Sequence, residues 1–585
     1  MTDSETRWPS MSIAEADAQL TRPGAPFEIE ETVIRGVRTR TWKTAPPTLR
    51  DVFLEGLRFR EREFLVYEDD RATVDAFAKA TLRLAHHLQV DGVKKGDRIA
   101  VIMRNLPEWP VAFFAGQLLG AIVTPLNAWW TGPELAYGLA DSGAKVAFVD
   151  DERLGRIAEI VAGLPDLEKI YVTRHTGLDL PARTEALEGV IGAVNAWSTL
   201  AELPMPDVPL HPDDDATILY TSGTTGRPKG ALGAHRNMTS IIGVNAHAAA
   251  RVFLRAGEPL PDQDAAAAPQ RVILLVVPMF HATGLSSTLC PALNTGAKLV
   301  LMRRWDAEGA MQLIEREKVA ATGGVPTIAW QLIEHPARGQ YDLSSLVAVS
   351  YGGAPSAPEL VRKIVEVFPG SLPGNGWGMT ETSATFCGHF GEDYLNRPDS
   401  AGPAAPVGEM QIRDPANGRT CLPAGVVGEL WVKGPQVVKG YWNKPEATAE
   451  TFQDGWLRTG DLARIDAEGF LFIVDRAKDM LIRGGENIYC VEVENVLYEH
   501  PDVMDAALVG IPHKTLGEEP AAVVHLKPGG AATEDELRHF VRERLAGFKT
   551  PVKIAFWPDT LPRNANGKIL KGELKAVFAS ASAQA

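Results

Sequence analysis

Cysteine is scarce in this chain. Its 585 residues include four, Cys290, Cys387, Cys421 and Cys490, far apart and never in CxxC spacing. That excludes a disulfide framework and a thiolate zinc site, and it fits a reducing compartment. Positive charge is in deficit: 59 Lys and Arg against 74 Asp and Glu give a formal net charge of −15. A nucleic-acid partner held on a basic surface is therefore not expected. No uninterrupted apolar run reaches the length of a membrane span. Met1 to Ser10 is polar with no apolar h-region, so no secretory signal is expected and the cytoplasm is the predicted location. What remains is ordinary globular composition, 45% apolar and 23% charged. The length exceeds what one core organises, which predicts two or more domains.

From about Asp69 to Val149 helical and strand-like segments alternate. Thr73 is placed to cap a helix carrying Val74, Phe77, Leu84 and Leu88. Arg98 to Met103 is a nearly continuous apolar run of the kind found in a covered parallel strand. Helical Ala112 to Ala115, strand Ile122 to Pro125, helical Glu134 to Tyr137 and strand Val146 to Val149 follow. This order predicts an α/β domain with mostly parallel sheets. The pattern returns at Arg271 to Val277 and Leu346 to Val349, while Val252 to Pro269 reads as a surface loop. Past about Val407 shorter strands and turns, such as Gly428 to Gly434 and Gly469 to Val474, predict a β-rich subdomain over 407–476. Asp475 to Asp479 is a charged break. The predicted division is thus 1–476 and a small α+β domain over 477–585, with a frayed tail from Ala579.

The most informative run is Thr221-Ser222-Gly223-Thr224-Thr225-Gly226-Arg227-Pro228-Lys229-Gly230, directly after the strand-like Thr217 to Tyr220. Glycines let the backbone approach a ligand, N–H groups and hydroxyls wrap a polyanion, and Lys229 and Arg227 offset its charge. It is not a P-loop: Gly223 and Gly226 are too close, and Gly230 stands where a hydroxyl is required. A second run, Gly374 to Thr382, offers Trp377 as a face for a purine, Thr380 for the α-phosphate, and Glu381 as a hard oxygen for Mg²⁺. His281, in Pro278 to Gly284, follows a strand at the end where α/β ligand sites gather. Tyr351-Gly352-Gly353-Ala354-Pro355 also follows a strand. Taken alone, Trp456 to Asp461 reads as an exposed turn, and Lys568, in Leu561 to Lys571, as solvated surface.

In order, these runs resemble the adenylate-forming superfamily of acyl-CoA synthetases, luciferases and peptide-synthetase adenylation domains, over about residues 50 to 575. The resemblance implies an acyl-CoA synthetase that joins a carboxylic acid to ATP, releases pyrophosphate, and passes the acyl group to coenzyme A with release of AMP. It assigns the nucleotide to Thr221, Ser222, Gly223, Thr224, Thr225, Gly226, Lys229, Gly353, Ala354, Trp377, Gly378, Met379 and Thr380, with Asp461 and Arg476 at the ribose. Thr221 joins Glu381 at the metal, and His281 helps orient the acid. Lys568 matches the family's Pro-Arg-x-x-x-Gly-Lys lysine and is the candidate catalytic cation, Lys478 the hinge, and Gly484-Gly485 the coenzyme A tunnel. Thr283, Ser287, Gly352, Gly374 and Gly376 would line the acyl pocket with His281, widened by Gly323-Gly324. Small residues there suit a medium- or long-chain fatty acid or a bulky aryl-alkanoic acid. Gly24 to Glu30 is similar to bacterial fatty-acid–CoA ligases, which tilts the reading to fatty acids. Many members have proline where this chain has Cys490, read here as a small buried group. An adenylating enzyme with another acceptor, such as a carrier protein, and a catalytically silent nucleotide binder are the rivals. Because the sequence ends soon after Lys571, no fused carrier domain is expected; a homodimer is compatible with the reading.

Overall fold

The computed structural model describes residues 8–177, 179–221, 227–260, 268–353, 358–484, 486–564 and 568–581. Two eight-stranded sheets dominate it. In the first, Arg98–Ile102, Ile122–Pro125, Ala144–Asp150, Lys169–Thr173 and Asp215–Thr221 run parallel, and Lys229–Ala234 folds back antiparallel on the last of these. In the second, Lys298–Leu301, Val272–Leu275, Ala321–Gly324, Ala348–Gly352 and Leu372–Met379 are parallel, and Ala384–Phe390 closes one edge antiparallel. Helices cover the sheets, so strand residues such as Ile99, Ala100, Val101 and Ile102 are all buried. Thr73 caps the helix Val74–Val90 by accepting the Ala76 N–H at 3.1 Å. That helix brings Phe77 into an aromatic cluster with Phe53, Phe64 and Phe114.

A 22-residue helix, His235–Ala256, lies against the Ala384–Phe390 edge and roofs the second sheet. Two buried arginines hold it there: the Arg251 guanidinium donates to the Gly388 carbonyl at 3.2 Å, and Arg255 pairs with Asp393 at 2.8 Å. The helix runs to Ala256, so the residues from Val252 that read as loop are its last turn. Gly257 at φ 76° ends it, and the Pro- and Asp-rich tract begins only afterwards. Residues 261–267 of that tract lie outside the described residues.

Beyond the two sheets the architecture changes, as the sequence texture predicts. A six-stranded antiparallel sheet spans Gly402 to Arg476 and packs Leu430, Val432, Leu457 and Leu471 against Phe386 of the second sheet. The last unit is a five-stranded sheet built between Leu481 and Phe556. Helices Cys490–Tyr498 and Glu534–Arg542 cover one face, and Lys571–Ala581 covers the other. The fold is a large α/β domain with a β-rich part and a small α+β unit. No helix among the described residues is long and apolar enough to cross a membrane.

The Arg255–Asp393 pair is buried on both sides. Breaking such a pair leaves an uncompensated charge at a cost of about 3–5 kcal/mol. Arg255→Met should lower the urea-unfolding midpoint accordingly, and adding Asp393→Leu should recover part of the loss. Equal midpoints for wild type and Arg255→Met would show that the roof helix is held by other contacts.

Candidate active site

Parallel pairing sets residues of neighbouring strands in rows, and alternation sends every second row to the same face. On the roof-helix face of the second sheet one row is Ile273, Ala321, Ala348 and Leu372. The next is Gly323, Ser350 and Gly374, and the next is Gly352 and Gly376. Side chains on the central strands therefore shrink towards the C-terminal ends. The opposite face carries Val349 and Tyr351 into a separate core. Above the small-residue rows the helix presents Ile242, Asn245, Ala246, Ala249, Val252 and Phe253 at helical spacing. The space between is a trough, part of a cavity of about 1950 Å³ that also reaches the C-terminal strand ends. Close packing enforces two of the glycines: a Cβ on Gly352 would stand 2.7 Å from the Gly376 carbonyl oxygen, and one on Gly378 would collide with the Ala384 carbonyl.

At the C-terminal end the lining turns polar. Gly374 to Met379 is strand rather than loop, and a short 3₁₀ turn, Thr380–Thr382, follows it. Ser383 and Ala384 then take φ values of 57° and 117°, left-handed conformations that non-glycine residues adopt at a cost. This turn delivers Thr380 and Glu381 to the cavity. Glu381 is only 5% exposed, and its carboxylate accepts the Tyr441 hydroxyl at 2.7 Å. Burial pushes its pKa up, opposed by Tyr441, Arg476 and Lys229. The Lys229 ammonium lies 4.8 Å from the Tyr441 ring, and Lys229 pairs across the strands with Thr221, both lining the cavity. A buried carboxylate with few protein partners, next to space for phosphates, fits the way Mg²⁺ is usually held. No group of three or more metal-ligating side chains occurs among the described residues.

Trp377, Asp461 and Arg476 form a chain of contacts. The Trp377 indole N–H donates to Asp461 Oδ2 at 2.8 Å, and Arg476 Nε lies 3.0 Å from Oδ1. Asp461 is not on an exposed turn, as the hexapeptide alone suggests. It lies inside the strand Trp456–Ile465, where Gly460 at φ 74° accompanies a register shift and Thr459 anchors to the Leu430 carbonyl. Trp377 also packs edge-to-face on Phe386 while lining the cavity.

Lys568 reaches the same cavity from the small C-terminal unit. Its turn is braced from both sides: the Asn564 side chain accepts the Lys568 N–H at 3.0 Å, and Arg563 bridges to Ile569. Arg563 in turn pairs at 2.8 Å with Asp505, which is buried in the sheet below. Burial, with Arg476 and Lys478 nearby, lowers the Lys568 pKa to about 8. Asp475, which also lines the cavity and is raised to about 6 chiefly by burial, accepts the Cys490 N–H. Cys490 is buried, its thiol donates to the Asp479 carbonyl at 3.1 Å, and burial raises its pKa. A reactive thiol is not what this geometry offers.

His281 caps a short helix and sets its ring 4.6 Å from Phe280. It lines the cavity with Thr283 and Ser287, and Ser287 Oγ meets Thr385 Oγ1 at 3.0 Å in a π-helical turn. Gly352, Gly353, Gly376, Gly378, Met379 and Lys478 line it too. Gly374, expected to line the acyl pocket, is not among the lining residues: the Phe390 ring packs directly over it. Gly484, at the turn between Leu481–Arg483 and Glu486–Ile488, is not among the lining residues. Ser222, Gly223, Thr224, Thr225, Gly226, Ala354 and Gly485 lie outside the described residues. Tyr441 and Asp505 are positioning groups that the motifs did not announce, whereas Arg563 is the arginine of the Pro-Arg-x-x-x-Gly-Lys motif itself and Asn564 follows it. A Gly-Tyr-Trp run at Gly440 was the one local signal for Tyr441.

Residues 55–442 match the family model described as AMP-binding enzyme, and residues 492–568 match that of the AMP-binding enzyme C-terminal domain. A feruloyl-CoA synthase of Amycolatopsis sp is 36% identical over 507 residues, covering 86% of this chain and 94% of that one. A long-chain-fatty-acid–CoA ligase of Bacillus subtilis (strain 168) is 33% identical over 551 residues, 90% of this chain and 94% of that one. Among solved structures, the anthranilate CoA ligase AuaEII in complex with anthranoyl-AMP superposes with a TM-score of 0.79 at 26% identity, covering 92% and 98% of the two chains.

Tyr441→Phe removes a donor from a buried carboxylate, a loss of about 1–3 kcal/mol. The thermal midpoint should fall at pH 7.5, and the gap from wild type should narrow as acid protonates Glu381. An unchanged midpoint at pH 7.5 would mean the hydroxyl contributes nothing.

Proposed function

The chain belongs to the AMP-binding enzyme family and is an AMP-forming acid–CoA ligase dependent on ATP, and from that premise we propose that its acid is a medium- or long-chain fatty acid. The observation that carries this reading is the trough. It continues from the Gly352 and Gly376 row to the Ile273 and Leu372 row, along the strands and under the roof helix. An aliphatic chain fills such a groove along its length. A bulky aryl-alkanoic acid is the second reading, favoured by the likeness to a feruloyl-CoA synthase.

In the reaction proposed, the acid's carboxylate attacks the α-phosphate of ATP, giving an acyl-adenylate and pyrophosphate. Positioning and charge neutralisation carry such a step. Residues 221–230 grip the departing phosphates, Thr380 meets the α-phosphate, and Asp461 and Arg476 take the ribose hydroxyls. Trp377, Gly378, Met379, Gly353 and Ala354 flank the purine. Thr221 and Glu381 would hold Mg²⁺, which supplies charge neutralisation on the phosphate oxygens. His281 orients the acid, and Lys568 stabilises the carboxylate and bridging oxygen as pyrophosphate leaves. Coenzyme A thiol then displaces AMP after the C-terminal unit, from about residue 477, swings about Lys478. The swing would withdraw Lys568 and bring Gly484-Gly485 to the pantetheine. The arrangement described, with Lys568 at the cavity and Gly484 away from it, supports its assignment to the first half-reaction.

Lys568→Ala should abolish adenylate formation but leave conversion of supplied acyl-adenylate to thioester largely intact; equal loss of both would contradict the swing. A lysine is charged below its pKa, so the adenylation rate should fall as pH rises through about 8. In Lys568→Arg the charge persists and that limb should vanish.

Pyrophosphate release with a series of acids tests the substrate. Each methylene buried in the trough is worth about 0.8 kcal/mol, or roughly fourfold in kcat/KM. Rates should climb steeply from acetate to acids that fill the groove. A flat series with ferulate preferred would favour the aryl reading.

A further inference from the structure

The trough's far end is charged. One residue before the strand Val272–Leu275 stands Arg271, and alternation puts its side chain on the same face as Ile273 and Leu275. It lines the cavity together with Ile273, Ala321, Ala348 and Leu372. Its neighbours at this end are apolar and open to the cavity: Val347 is 49% exposed and Leu372 47%. Arg271 itself is exposed where it lines the cavity. Among the described residues the guanidinium has no hydrogen-bond or ion-pair partner.

A methyl-ended chain offers this guanidinium nothing to pair with. A guest with an anionic end group would supply the missing partner, and the planar guanidinium fork suits a carboxylate in particular. Resting on the fatty-acid reading of the trough, we propose that Arg271 reads the distal end of the substrate, and that the preferred acids are long α,ω-dicarboxylic acids. One carboxylate is activated beside Lys568 while the other pairs with Arg271.

The geometry also sets a length. The strand Val272–Leu275 with its flanking residues, from Arg271 to Val277, measures up to about 20 Å at roughly 3.3 Å per residue. An extended alkyl chain advances about 1.3 Å per carbon, given C–C bonds of about 1.5 Å. Roughly twelve to sixteen carbons span the distance.

The test measures pyrophosphate release by the full chain with length-matched mono- and dicarboxylic acids of about eight to eighteen carbons, a range that brackets this span. Wild type, Arg271→Gln and Arg271→Lys are compared. The diacid-to-monoacid ratio of kcat/KM should peak at one length in wild type. It should fall at least about tenfold in Arg271→Gln, through the diacid alone, and be partly kept in Arg271→Lys. The KM for ATP and the monoacid rate in Arg271→Gln should stay at wild-type values, which shows that the variant is folded. The same ratio in wild type and Arg271→Gln, with monoacids still good substrates, would overturn the role of Arg271 and leave the fatty-acid reading standing. Turnover of aryl acids with no long-chain acid accepted at either chain end would overturn both.

Discussion

The site depends on how little side chain the central strands of the second sheet place on one face. Gly323, Ser350, Gly374, Gly352 and Gly376 fall in register across three parallel strands. A roof helix pinned by buried Arg251 and Arg255 cannot sink to fill the gap they leave. Protein interiors are close-packed, so a void of this size has to be held open by its surroundings. Larger residues there would do more than narrow the groove. The Gly352 and Gly378 positions face backbone carbonyls of neighbouring strands, and a side chain would push the strands apart.

At the polar end the same economy governs charge. Glu381 and Asp461 are buried carboxylates, each held by an aromatic donor and a nearby cation: Tyr441 and Lys229 for one, Trp377 and Arg476 for the other. The Tyr441 contact ties the turn after the second sheet to the edge of the first, the Trp377 contact ties the second sheet to the β-rich part, and both fix the acceptors before any ligand arrives. Preorganised groups of this kind need no rearrangement at the moment charge develops. Lys568 is the counterpart supplied by the C-terminal unit. Its depressed pKa reflects burial first and the nearby Arg476 and Lys478 second, so an incoming polyanion finds several positive charges that repel one another.

Much of this was legible in the sequence because local chemistry and global fold agree. The Thr73 cap and the continuous apolar run at Ile99 to Ile102 each announce their place within a few residues, and the glycine-spaced Trp377 to Glu381 stretch lines the cavity. Features set by distant partners were not legible. Asp461 reads as a turn residue because a bulge inside a strand and a turn share the same Thr-Gly-Asp chemistry. Val252 to Ala256 reads as loop because the polar tract after Gly257 masks the helix end. Tyr441 sits on a two-residue strand, and its importance comes from Glu381, sixty residues away. Arg271 looks like an ordinary charge before a strand until the register of four strands shows which face it shares.

The central claim, that one trough holds the acyl chain and one polar end holds the nucleotide, is tested most directly by a crystal structure with a non-hydrolysable long-chain acyl-adenylate analogue. The account predicts an extended chain over Gly323, Ser350 and Gly352, beneath the roof helix, with the ribose on Asp461 and the acyl phosphate beside Thr380 and Lys568. A chain lying elsewhere, with the small-residue face uncovered, would contradict it.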